Sequence, residues 1–128
     1  MSIFLWSTLA GWASWFALLR GAIYPFEQKN VRDTRPYIVR LQPHYWIGFL
    51  TLAAALLHAV IALQMPRFGG ANMTGIWVAI VALVVLLAQA ALGSVLQYAF
   101  AGRRYFRRLH FWSGIALVPL LAVHLALN

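Results

Sequence analysis

Four apolar runs, separated by short polar connections, organise the chain. Met1 to Leu19, Leu41 to Met65, Phe68 to Gly102 and Leu109 to Asn128 contain no Asp, Glu, Lys or Arg. A helix that crosses a bilayer needs about 20 mostly apolar residues, so each run is long enough. The pattern predicts helices near Ile3 to Tyr24, Pro43 to Gln64, Met73 to Phe100 and Arg108 to Leu127. Pro43 stands where a first helical turn tolerates it, and Pro66 with Gly69 and Gly70 marks a turn. The connection from Pro25 to Gln42 is the longest and most polar, and Arg35-Pro36 biases it towards an extended path. Whether it also holds a short interfacial helix is left open by the pattern. Met1 to Leu19 differs from a secretory signal because its first cation, Arg20, follows the apolar run instead of preceding it. It is read as a retained helix. The expected fold is an all-α membrane protein, an up-and-down four-transmembrane-helix bundle, with residues 1–128 as one domain.

Composition narrows the function. Of 128 residues, 63% are hydrophobic and 9% charged, against roughly a quarter charged in ordinary soluble domains. A soluble globular enzyme is excluded. Four spans use nearly all of these residues, so a nucleotide-binding or flavin domain is expected on a separate chain. No Cys is present, which removes disulfides, thiolate ligands, iron–sulfur clusters and covalent c-type haem attachment together.

The net charge of +8 is lopsided. Arg20, Lys29, Arg32, Arg35 and Arg40 flank the first connection, Arg103, Arg104, Arg107 and Arg108 fill the third, and the second holds only Arg67. The positive-inside rule then faces the first and third connections to the cytoplasm and both termini outward. The expected location is a bacterial or archaeal cytoplasmic membrane. Arg-Arg-Tyr-Phe-Arg-Arg at 103–108 suits anionic lipid head groups between two spans better than nucleic acid.

The four histidines carry the chemistry. His44 and His58 lie on the second predicted span, His110 and His124 on the fourth, and both pairs are 14 residues apart. Fourteen residues are four turns at the 3.5-residue repeat of a left-handed bundle, so each pair shares a face and is separated by roughly 21 Å along the axis. Short connections make neighbouring helices antiparallel, so the second and fourth spans run parallel. His44 then meets His110 at one depth, and His58 meets His124 at another. A slide of 66 residues lays His44-Tyr45-Trp46-Ile47-Gly48 on His110-Phe111-Trp112-Ser113-Gly114 and His58 on His124 without a gap, an internal two-helix repeat. Gly48 and Gly114, one turn beyond the inner histidines, leave room for a flat macrocycle. A bare metal ion between two neutral imidazoles would want further ligands, and the spans offer neither carboxylate nor thiol. Haem brings four nitrogens of its own and asks only for axial ligands. Two bis-histidine b-type haems, held without covalent attachment, therefore use every histidine. The plainer alternatives are hydrogen-bonded core histidines or a proton relay, although ionisable groups within spans are rare and usually functional.

These residues make the chain resemble the di-haem four-helix membrane cytochromes b, in which two helices each carry a His-x13-His pair. That arrangement is shared by the haem core of respiratory cytochrome b and, in related form, by ferric reductase-like transmembrane domains. The resemblance covers nearly the whole chain and implies His44 and His110 as ligands of an inner haem, His58 and His124 of an outer one. The Pro-Glu-Trp-Tyr signature of respiratory cytochrome b is missing here. Glycines at 14-residue spacing on the two non-ligand helices also belong to that group, whereas Gly11 and Gly21, and Gly75 and Gly93, are spaced differently. Filled axial positions imply an electron wire between a quinone pool or membrane complex and a separate redox protein. The competing functions are a self-contained oxidoreductase acting on quinol, ferric iron or superoxide, and a cofactor-free anchor subunit.

Arg40, Arg103, Arg107 and Arg108 are candidates to meet inner-haem propionates, Arg67 the outer ones, or else they are interfacial anchors. Trp46 and Trp112 read as belt residues. Thr51, halfway between His44 and His58, is placed to bond either between the haems or to its own helix. Gln89 and Gln97 suit a quinone pocket or inter-helix hydrogen bonds. Pro119 is expected to kink the fourth span and aim His124.

Overall fold

The computed structural model describes residues 3–29, 34–64, 72–98 and 101–127, and these are helical throughout their ordered elements, with no strand among them. Helix α1 spans Ile3–Lys29, the short α2 Tyr37–Arg40, α3 Gln42–Leu63, α4 Met73–Val95 and α5 Arg103–Leu127. Arg32, Pro66, Arg67, Gly69 and Gly70 lie outside the described residues.

The element boundaries depart from the sequence pattern at the end of α1, at the end of α4, which stops at Val95 instead of Phe100, and at the start of α5, and the first connection, which the pattern left open, holds a short helix. Helix α1 runs past the expected stop at Tyr24, through Pro25 and on to Lys29. Its extension is held by an Arg20–Glu27 ion pair of 2.8 Å and by the Tyr37 hydroxyl, which donates to the Pro25 carbonyl. The first connection folds into α2, and the Tyr24 hydroxyl ties it to α1 through the Arg40 carbonyl. Helix α5 starts at Arg103, five residues earlier than expected, so the arginine cluster is helical. Gly102 makes this turn, with a φ of 90° that disfavours a side chain. Arg103 Nη2 reaches back to the Leu96 carbonyl, capping the end of α4. At the other end of α4, Asn72 accepts a hydrogen bond from the Thr74 amide, an ordinary N-cap.

Three stretches are long and apolar enough to cross a membrane: Tyr37–Leu63, Met73–Val95 and Arg103–Leu127. Helix α1 has the length, 27 residues, but interleaves Ser7, Thr8, Ser14 and three tryptophans where the others carry Leu, Val and Ala. Leu, Phe, Val and Ile side chains lie exposed on all long helices, a surface that suits hydrocarbon.

The helices form two hairpins. Helix α1 packs along α3, α4 packs along α5, and α3 joins the hairpins through α4. Helices α3 and α5, which carry the histidines, approach each other little along their backbones. Buried residues occur at several heights, and three of them lie midway between the histidine levels. Thr51 is 2% exposed and Leu117 1% exposed, and each sits seven residues from both histidines of its helix. Thr51 gives its hydroxyl proton to the Ile47 carbonyl of its own helix, while Ser14 of α1 donates to the Thr51 carbonyl. Ala82 of α4 is buried at the same height. These three buried residues lie between the two histidine levels.

Leu117→Ala should therefore lower stability by about 2–4 kcal/mol, the usual result of emptying a filled core position, whereas Leu125→Ala, at an exposed site, should change it little. Denaturant titration of both variants in the same detergent checks the contrast.

Candidate functional site

All four histidines are brought together in pairs. The ring centroids of His44 and His110 lie 6.0 Å apart with planes at 88°, and those of His58 and His124 lie 6.2 Å apart at 81°. Helices α3 and α5 consequently run in the same direction, in register at both levels.

Each ring is oriented from behind by backbone. Nδ1 of His44 donates to the Gly21 carbonyl at 3.0 Å, Nδ1 of His58 to the Ser7 carbonyl at 2.8 Å, and Nδ1 of His110 to the Gln89 carbonyl at 3.1 Å. His124 bonds the backbone of Gly75. A carbonyl can only accept, so the three Nδ1 atoms carry protons, which leaves their Nε2 atoms, when unprotonated, as acceptors for another partner; the Gln89 amide lies 3.4 Å from Nε2 of His110. Two such nitrogens cannot hydrogen-bond each other. They can share a Lewis acid.

The four backbone partners repeat the histidine spacing. Ser7 and Gly21 are 14 residues apart on α1, and Gly75 and Gln89 are 14 apart on α4, each pair running antiparallel to the histidines that it meets. This is the matching signal that the sequence pattern missed, because it belongs to carbonyls and not to side chains. The glycines have a different role. In a helix the side chain at i+4 leans back over the carbonyl at i, so a small residue there opens the carbonyl to a neighbour. Gly11 stands four residues after Ser7, and a Cβ on it would lie 3.1 Å from His58 Nδ1. Gly93 stands four after Gln89, and its Cβ would lie 3.3 Å from His110 Cε1. The glycine spacing on each helix therefore departs from 14, because Gly21 and Gly75 are carbonyl partners themselves while Gly11 and Gly93 stand four residues beyond one.

A cavity of about 600 Å³ opens at the His44–His110 level. Its walls include Ile38, Leu41, Tyr45 and Leu96, and its rim carries Arg103, Arg104 and Arg107. Arg104 was not singled out in the sequence, since no spacing rule separates it from its neighbours. Arg108 is exposed and lies off this cavity, because each step along a helix rotates by about 100°. Arg40 also lies elsewhere: its guanidinium donates to the Gln28 carbonyl at 2.7 Å and lies 5.4 Å from the Tyr37 ring centre, beside a separate cavity of about 360 Å³. At Gly48 an added Cβ would meet nothing within 4 Å, whereas at Gly114 it would lie 3.0 Å from Gln89 Nε2. Gln89 also accepts from the Ser113 hydroxyl, and its amide approaches Nε2 of His110 at 3.4 Å. Gln89 is thus an inter-helix hydrogen-bonding residue in this structure. Gln97 is exposed, as are Trp46 and Trp112, at 65% and 63%. Helix α5 continues through Pro119 to Leu127.

The spacing of the rings has a chemical meaning. A metal–imidazole bond of about 2.0 Å, followed by roughly 1.1 Å from that nitrogen to its ring centre, sets two opposed ligands about 6.2 Å apart between centroids. Both pairs have this separation. No group of three or more His, Cys, Asp or Glu gathers among the described residues, so a bare ion would find two protein ligands at each level and little else. In comparisons with known proteins the chain matches no protein-family model, no curated protein and no solved structure.

Proposed function

We propose that the chain is a di-haem cytochrome b of the membrane, moving electrons between the two faces as a subunit that links a quinone pool or membrane complex to a separate redox protein. The observation that carries this reading is the pair of imidazole couples at 6.0 and 6.2 Å, each backed by backbone that commits the ring proton. His44 with His110, and His58 with His124, would hold the two haems. Bound there, haem b would supply a one-electron ferric–ferrous couple.

The chain's own residues do the rest. Carbonyls of Ser7, Gly21 and Gln89 fix ring orientation and raise ligand basicity. Arg103, Arg104 and Arg107 offer cations to propionates at the basic level. Thr51, Ala82 and Leu117 keep water from the layer between the levels. Helix α1 is the fourth span in this reading: Gly21 meets His44 and Ser7 meets His58, so α1 covers the same depth as α3. Arginines at the foot of α5 and on the first connection place that end in the cytoplasm, with both termini outside.

Three outcomes are expected. The purified chain should carry two extractable, non-covalent haems; His44→Ala and His58→Ala should each remove or perturb one and spare the other, and a colourless protein would overturn the reading. Replacing Arg103 and Arg107 together by Gln should lower the midpoint potential of the haem lost in His44→Ala and leave the other within error, because nearby cations favour the reduced, less positive iron. Single cysteines at Asn72 and Ala101 should label from opposite faces of sealed vesicles; labelling from one face would remove the proposed topology.

A further inference from the structure

Pro25 lies inside α1 and lines the cavity that holds His44. In a helix the carbonyl at i normally accepts from the amide at i+4, and proline has no amide N–H and crowds the carbonyl four residues before it. The carbonyl four residues before Pro25 is that of Gly21, the one that receives the His44 ring proton. At Ser7, Gly75 and Gln89 the residue four further on is Gly11, Ala79 or Gly93, each with an amide to share the oxygen. Gly21 is itself buried, so its carbonyl needs a partner from another helix.

We propose that Pro25 is a positioning residue for His44, removing a competing donor so that the Gly21 carbonyl accepts an undivided hydrogen bond from this ring. A second donor on one oxygen draws electron density from the first bond. Without it, the His44 ring keeps more imidazolate character and is a stronger electron donor through Nε2. The consequence for haem rests on the function proposed above: a stronger axial donor stabilises ferric iron and lowers that haem's potential. The hydrogen bond itself does not depend on that reading.

The test uses the full chain in lipid nanodiscs with ¹⁵N-labelled histidine, first without cofactor. In Pro25→Ala the His44 ring N–H signal, assigned through its loss in His44→Ala, should move upfield and exchange faster with water, with the other three ring signals unmoved. Pro119→Ala, which restores an amide on α5 next to none of the four carbonyl partners, should move none. An unmoved His44 signal, or a common shift of all four, overturns the proposal. After addition of haem b, the band lost in His44→Ala should show a raised midpoint in Pro25→Ala, and an unchanged midpoint overturns the tuning role. Failure of the wild-type chain to take up haem would instead remove the proposed function, with the ring signal still deciding the role of Pro25.

Discussion

A histidine ring bound from behind by the backbone of a neighbouring helix is the interaction on which this structure depends. Left free, an imidazole inside an apolar bundle would choose between tautomers and rotate to any available partner. With Nδ1 committed to a carbonyl, one tautomer and one ring direction remain. The cost of bringing four polar rings among apolar helices is offset by these bonds, each worth roughly 1 kcal/mol net, and by avoiding stranded buried donors at about 1–3 kcal/mol each. The same bonds set the register between α1 and α3 and between α4 and α5. One interaction thus does two jobs, aligning helices and aiming nitrogens.

That double role explains why the core is so thin. Apolar packing between helices gains little over contact with lipid, so association relies on close approach of small residues and on polar contacts. Here the small residues are Gly11, Gly21, Gly75, Ala82 and Gly93, and the polar contacts are the histidine–carbonyl bonds, the Ser14 hydroxyl and the Gln89–Ser113 pair. Where α3 and α5 face each other the pattern reverses. Their backbones stay apart, and the histidines reach across at two levels. Between the hairpins a cavity opens at the His44–His110 level.

The sequence made the histidine geometry legible because side-chain letters record it directly: equal spacings of 14 on two helices of equal direction leave one pairing. The carbonyl partners were hidden, since backbone oxygens have no letter, and their own spacing of 14 emerges only once α1 and α4 are aligned against the histidines. The glycines misled because they mix two roles: Gly21 and Gly75 are carbonyl partners, whereas Gly11 and Gly93 stand four residues beyond one. Charge patterning located the basic end but not which arginines turn inward. Arg103, Arg104 and Arg107 were separated from Arg108 only when the helix start moved to Arg103, fixing their rotation. The four-span count likewise rests on α1, whose Ser, Thr and Trp content blurs its hydropathy, although Ser7 and Ser14 meet α3.

The start of α5 shows where stability and function pull apart. A helix N-terminus carries partial positive charge and favours anions, and each nearby cation is unfavourable by about 0.3–1 kcal/mol. Helix α5 nonetheless places Arg103, Arg104, Arg107 and Arg108 in its first two turns, with no acidic residue in the first, while Glu27 is already engaged by Arg20. Local energetics alone would not select this. An anionic group seated against Arg103, Arg104 and Arg107 would reverse the sign of the interaction, and the propionates of a haem between His44 and His110 have that charge. In this reading the basic level is tuned twice and in opposite senses: the arginines favour the reduced iron, and the undivided Gly21 bond favours the oxidised iron through His44. The 14-residue spacing makes the two levels alike in geometry, and Pro25 with the arginines at one of them makes their surroundings unlike.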